Sequence, residues 1–182
     1  MGQSDSKNYF AQLIAGSQVQ HSSRYFEKGT FLVEIDNVKL FMNRKRQPRA
    51  AVECTVKQSS NSNLPAASSV SWIVSLDSDA GPSTVKTWIA CMFRCSDADI
   101  TSETIQDIFV GDGEDRISPA SGFQAIVNAY EKPTRSGGVF TKCEWKRFEE
   151  GDALPDFDLL RAESRSVPDF MPEMESNNDI PY

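Results

Sequence analysis

Seven cations gather into two short stretches of this chain. Met42-Asn43-Arg44-Lys45-Arg46-Gln47-Pro48-Arg49 carries Arg44, Lys45, Arg46 and Arg49, and Lys132-Pro133-Thr134-Arg135-Ser136-Gly137-Gly138 carries Lys132 and Arg135, with Lys142 close behind. Lys57 follows the first cluster. Guanidinium and ammonium groups at this density hold phosphate oxygens by charge-assisted hydrogen bonds. Along a polyanion they also displace counterions. Aromatic rings nearby add a second chemistry, because a flat ring stacks on the exposed face of a nucleobase. Phe41 opens the first cluster, Tyr130 precedes the second, and Phe140 shares a strand face with Lys142. These residues form the candidate binding set: Phe41, Arg44, Lys45, Arg46, Arg49, Lys57, Tyr130, Lys132, Arg135, Phe140 and Lys142. The plainer account of each cluster is a solvated turn, and for each aromatic it is a place in the core.

Reactive chemistry finds less support. The single histidine, His21, sits in a polar stretch without a nearby nucleophile. Asp97 with Asp99, or Asp112 with Glu114 and Asp115, imitates the carboxylates of a metal-dependent nuclease, but both groups fall in expected loops. Of Cys54, Cys91, Cys95 and Cys143, only Cys91 and Cys95 are close in sequence, whereas a zinc site needs four ligands in short-spaced pairs. The cysteines read as buried thiols. The expectation is a binding protein, not an enzyme, with no catalytic residue, no metal and no cofactor.

The charge is divided unevenly. From Glu149 to Tyr182 there are ten acidic and two basic residues, a net −8. The preceding 148 residues have 17 basic and 16 acidic ones, a net +1. A near-neutral body with an acidic tail points to separated tasks. No apolar run approaches a membrane span, and the first residues lack a signal-peptide pattern, so a cytoplasmic protein without membrane contact is expected.

The elements that must carry these residues follow from hydrophobic period. Phe31, Val33 and Ile35 alternate with Glu34 and Asp36, and after Asn37 the apolar phase passes to Val38 and Leu40: a long first strand with a bulge. Val52, Cys54 and Val56 mark a second strand, and Val70, Trp72, Val74 and Leu76 a third. Val85, Trp88, Ile89, Met92 and Phe93 fall on one helical stripe, with Ser83 as the expected cap. Thr101 or Ser102 opens another short helix. Ala125, Val127 and Ala129 mark a fourth strand, and residues 139–148 a fifth. By phase, Trp72, Trp88 and Trp145 belong to the core. The expected organisation is an arm over 1–28, a β domain over 29–148, and an acidic, largely disordered tail over 149–182.

Three strands, one or two helices, then two strands is the order of a five-stranded Greek-key barrel of the oligonucleotide-binding (OB) type. Such barrels bind nucleic acid through the loops joining strands 1–2 and 4–5, here the two cationic turns. A Greek-key sandwich or another small barrel also fits five strands. The last residues, Asp179-Ile180-Pro181-Tyr182, resemble the acidic tip of bacterial and phage single-stranded DNA-binding proteins, with Tyr182 in place of the usual terminal Phe. The body is closer to the phage-encoded versions, on Tyr25-Phe26-Glu27-Lys28-Gly29 and the stretch from Gly138 to Trp145. The resemblance implies sequence-tolerant binding and protection of single-stranded DNA. It further implies that the tip recruits replication or recombination proteins, in the host cytoplasm if the chain is phage-encoded. Homo-oligomers are compatible with it. Two alternatives stay open: an OB-like adaptor or virion scaffold without nucleic-acid affinity, and a strand-annealing mediator.

Overall fold

The computed structural model describes residues 24–111, 114–134 and 137–166. His21, Asp112, Arg135 and the tip Asp179–Tyr182 lie outside the described residues. The rest is mainly β: a curled, six-stranded mixed sheet forming a half-barrel. It has one more strand than expected.

The strands are β1 (Arg24–Tyr25), β2 (Gly29–Met42), β3 (Pro48–Ser59), β4 (Ser69–Ser75), β5 (Gln124–Pro133) and β6 (Val139–Phe148), in the spatial order β1-β4-β3-β2-β5-β6. All neighbours are antiparallel except β1 and β4, which run parallel. Three helices complete the fold: α1 (Gly81–Phe93), α2 (Ser102–Ile108) and α3 (Phe157–Ser166). The first two lie between β4 and β5, as expected.

Alternation sets the faces. Phe31, Val33 and Ile35 of β2, Val52, Cys54 and Val56 of β3, and Ala125 and Val127 of β5 all point into one buried cluster. The ladder between β2 and β3 slips twice, at Leu32/Val33 and at Ile35/Asn37. The second slip is the bulge foreseen at Asn37. Such slips bend a strand and tighten its twist, which is how a long β2 serves both ends of a curled sheet.

Helix α1 plugs the open end with Val85, Trp88, Ile89 and Met92 buried. It starts two residues before the expected cap. Ala80 holds the N-cap, Pro82 sits in the first turn, and Ser83 Oγ donates to Ala80 O at 2.9 Å. Gly81 is required there, since a Cβ would lie 1.7 Å from Ser75 O. Thr101 caps α2 as expected, accepting from Thr104 N at 3.2 Å.

The half-barrel is sealed by rings where backbone pairing stops. β4 and β6 form no ladder with each other. Trp72 of β4 meets Trp145 of β6 at 5.4 Å between centroids, and Trp145 meets Phe26 at 5.8 Å and Trp88 at 6.2 Å. The three tryptophans therefore take the core side, as their phase indicated.

Two further expectations are corrected. The stretch through residue 28 is not wholly an arm: Arg24 and Tyr25 pair with Val70 and Ser71, and Phe26 is buried in the ring cluster. Residues 149–166 are not without structure either. Leu154 lies beside Gln124 and Phe148, and Pro155 beside Lys57–Ser59, so the segment crosses β5 and β2 on the sheet's outward side. It ends in α3, where Phe157 is 6% exposed and Arg161 Nη2 donates to Ser59 O at 2.6 Å. Beneath it Leu32, outward on β2, is also only 6% exposed. Phe157 anchors this strap, so Phe157→Ala should raise hydrogen exchange over α3 to nearly unprotected rates while β2 stays protected. Leu159→Ala, at a position 57% exposed, should change neither.

Candidate nucleic-acid interface

The turn Asn43–Gln47 is built to a fixed shape. Arg46 N donates to Asn43 O at 2.8 Å, and the Asn43 side chain accepts from the amides of Lys45 and Gln47, each at 2.9 Å. Arg46 closes the turn in the left-handed region, with φ of 57°. This is a hairpin turn followed by a left-handed residue, a position where glycine is normally preferred. The chain keeps an arginine there at a cost of about 1 kcal/mol. Arg44, Lys45 and Arg46 are all exposed. Among the described residues, none of the three has an ion-pair partner.

The other expected cations divide differently. Arg49 is latched: its Nη1 lies 2.8 Å from Asp77 Oδ1 and also contacts Ser75, and its Nη2 donates to Gln47 at 3.0 Å. The Ser75 hydroxyl, then Arg49, hold Asp77 below the usual carboxylate range. Arg49 thus ties the turn to the end of β4. Lys57 pairs with Glu34 at 3.1 Å. Lys142 pairs with Glu144 at 3.3 Å and lies over the Tyr130 ring at 5.7 Å. The Tyr130 hydroxyl donates to the same Glu144 oxygen at 2.6 Å. That hydrogen bond, then Lys142, keeps Glu144 below its ordinary range, so the trio is a closed network. Lys132 has no ion-pair partner among the described residues.

Sequence reasoning left two free cations out of the candidate set. Lys146 is exposed on the outward face of β6, opposite Ile126, and Lys28 is exposed just before Gly29, whose partner is Ala129. Neither has an ion pair among the described residues. Strand alternation already put Lys146 on the face of Lys142, so that signal was present; Lys28 carried none.

The aromatic candidates differ in access. Phe140 is 46% exposed and stands opposite Lys132. Tyr130 and Phe41 are half-buried, Phe41 opposite Arg49. Phe140, Tyr130, Lys132 and Lys28 form one patch towards the hairpin end of the β5–β6 ribbon, while Lys146 stands nearer its other end. Arg44, Lys45 and Arg46 form another beyond Met42. The register puts the two at opposite ends of β2, roughly 40 Å apart along the strand at 3.3 Å per residue. The acidic strap crosses the outward face between them.

Three of the carboxylates considered for a metal have structural tasks. Asp97 pairs with Lys86 at 2.6 Å, Asp99 caps the short turn that begins at Ser96, and Glu114 binds Arg116 at 2.7 Å. Arg116 in turn donates to the carbonyls of Asp107, Gln106 and Phe109 at the end of α2. Among the described residues no three His, Cys, Asp or Glu side chains converge. Cys54 is buried in the core, and burial pushes the Cys143 thiol up to about 12.

No protein-family model matches the chain, and no curated protein matches it.

Arg46 separates charge from fold. Arg46→Gly relieves the left-handed backbone and should leave Tm equal or higher. If the turn binds phosphate, the same change should weaken polyanion binding. Opposite signs in a thermal melt and a binding titration check the assignment.

Proposed function

We propose that this chain binds single-stranded nucleic acid, DNA in the first instance, without strong sequence preference. The observation that carries the reading is the sorting of the cations. Those that could hold the fold together are already paired. Most of those left free stand in two exposed patches, one on a turn whose backbone is strained to present arginine.

Strand pairing supports an OB-type barrel. β2 lies between β3 and β5, with β4 beyond β3 and β6 beyond β5. That is the neighbour pattern of the OB barrel, with its last seam, between β4 and β6, left open and wedged by β1. The two patches then correspond to the loops that such barrels use for oligonucleotides. Phe140 and Tyr130 supply ring faces beside the cations of the hairpin patch, each stacked base contributing about 1–3 kcal/mol.

The strap favours a second reading, the protein–protein adaptor. An acidic segment already covers the middle of the outward face, so a partner rather than a polyanion would meet it. The two readings part in one experiment. Binding of an oligo-dT is followed at several salt concentrations for the natural chain and its variants. Charge reversal of Arg44, Lys45 and Arg46 together should weaken binding severely. Neutralising all three should make the slope of log K against log salt shallower by about 2, at 0.7 per phosphate contact. Binding that ignores both changes sinks the turn assignment, and no binding at low salt leaves the adaptor.

The resemblance at Asp179–Tyr182 adds a division of labour, with the tip as recruitment site. Removing Asp179–Tyr182 should leave oligo-dT affinity equal or greater and abolish capture of replication or recombination proteins. A large loss of DNA affinity on that deletion would overturn the division.

A further inference from the structure

The seam that the rings seal also carries a groove. Between α1 and the free edge of β6 lies a cavity of about 400 Å³, walled by Trp72, Trp88 and Trp145 with Thr87 and Lys142 at its margin. It falls within the size range of small-molecule sites. The chain has three tryptophans, and all three line this one groove.

The Nε1 donors of Trp88 and Trp145 are fully buried behind this wall and have no hydrogen-bond partner among the described residues. The donors that reach the groove come from the backbone. Cys91 Sγ donates to Trp145 O at 3.1 Å, so that carbonyl points away from β5, towards the free edge. In a strand, the amide and carbonyl of alternate residues share a side, so the amides of Cys143 and Trp145 point to the edge as well. Among the described residues β6 has no strand partner there. The groove is thus aromatic-walled, with backbone donors and acceptors along one side and Glu144 in its lining. Lys142 links its margin to the Tyr130 ring on the outward face.

We propose that the groove between α1 and the free edge of β6 takes a single nucleobase, stacked against the tryptophans with its carbonyl oxygens on the edge amides of Cys143 and Trp145. Thymine, flat and bearing two carbonyl acceptors, fits this chemistry. The base can belong to a bound strand or to a free mononucleotide. In the first case the inference deepens the single-stranded DNA reading and rests on it.

The tryptophans make the groove its own reporter. The full chain is titrated at low salt with end-labelled oligo-dT, following label anisotropy and tryptophan emission together. Thymidine monophosphate is titrated separately. The expected result is quenching that tracks anisotropy. Thr87→Phe fills the groove from an exposed helix position and should abolish the quenching and weaken oligo-dT about five- to tenfold, the loss of one stacked base. Trp145→Phe keeps a ring but reduces the aromatic wall of the groove. It should weaken binding too, and it serves if Thr87→Phe does not fold. Anisotropy change without quenching, unaffected by either variant, overturns the groove and leaves the DNA reading intact. Quenching by the mononucleotide alone, lost in Thr87→Phe, supports the groove and overturns strand binding. No response to either probe overturns both.

Discussion

The edge contact between Trp72 and Trp145 is what the remaining architecture depends on. A curled sheet that does not close by hydrogen bonds leaves two strand edges facing each other, and unpaired edges invite foreign strands. Here large rings do what a ladder would do. Trp72 comes from β4, Trp145 from β6, Trp88 from α1, and Phe26 from the segment between β1 and β2, all within ring-contact distance. Aromatic pairs at these separations add about 0.5–1.5 kcal/mol each beyond the area they bury. Four elements distant in sequence are therefore fixed by one cluster. The curl that the cluster imposes sets which strand faces look outward.

The outward face is consequently a designed mosaic of charge. Cross-strand register brings Lys57 to Glu34 and Lys39 to Glu53. These exposed pairs each contribute little to stability, but they remove cations from circulation. What remains free is concentrated at the strand ends. A body of net +1 can in this way present strongly positive ends, because its acids are matched locally in the middle of the sheet.

Much of this was legible in the sequence where a period existed. Phe31/Val33/Ile35, Val52/Cys54/Val56 and Val85/Trp88/Ile89/Met92 each repeat at the spacing of their element, and each landed in the core. The phase shift at Asn37 announced a real bulge. What failed to show was anything carried by a single anchor. Phe26 and Phe157 are single aromatics outside any sustained strand or helix period, yet each is buried and each fixes a segment. Ion pairing was equally invisible. Arg49 and Arg46 stand three residues apart in one basic run, and only register and turn geometry make the first a latch and the second a free charge.

The strap tests how charge and docking relate. An acidic segment lying across a sheet with cationic ends suggests neutralisation as the force that holds it. The contacts say otherwise. Lys57, beside Asp156 and Asp158 at the strap's end, pairs with Glu34 of its own sheet. The strap is held by the burial of Phe157 and by Arg161 on the Ser59 carbonyl. Its carboxylate at Asp158 is matched by Arg161 of the same helix. Burial of a phenyl ring is not screened by salt, whereas attraction between exposed charges fades beyond about 10 Å at 0.1 M. The strap therefore stays docked under conditions that would strip a polyanion from the free cations. It leaves Arg44, Lys45, Arg46 and Lys132 unengaged, and the face it covers is set aside from the ends that carry the charge.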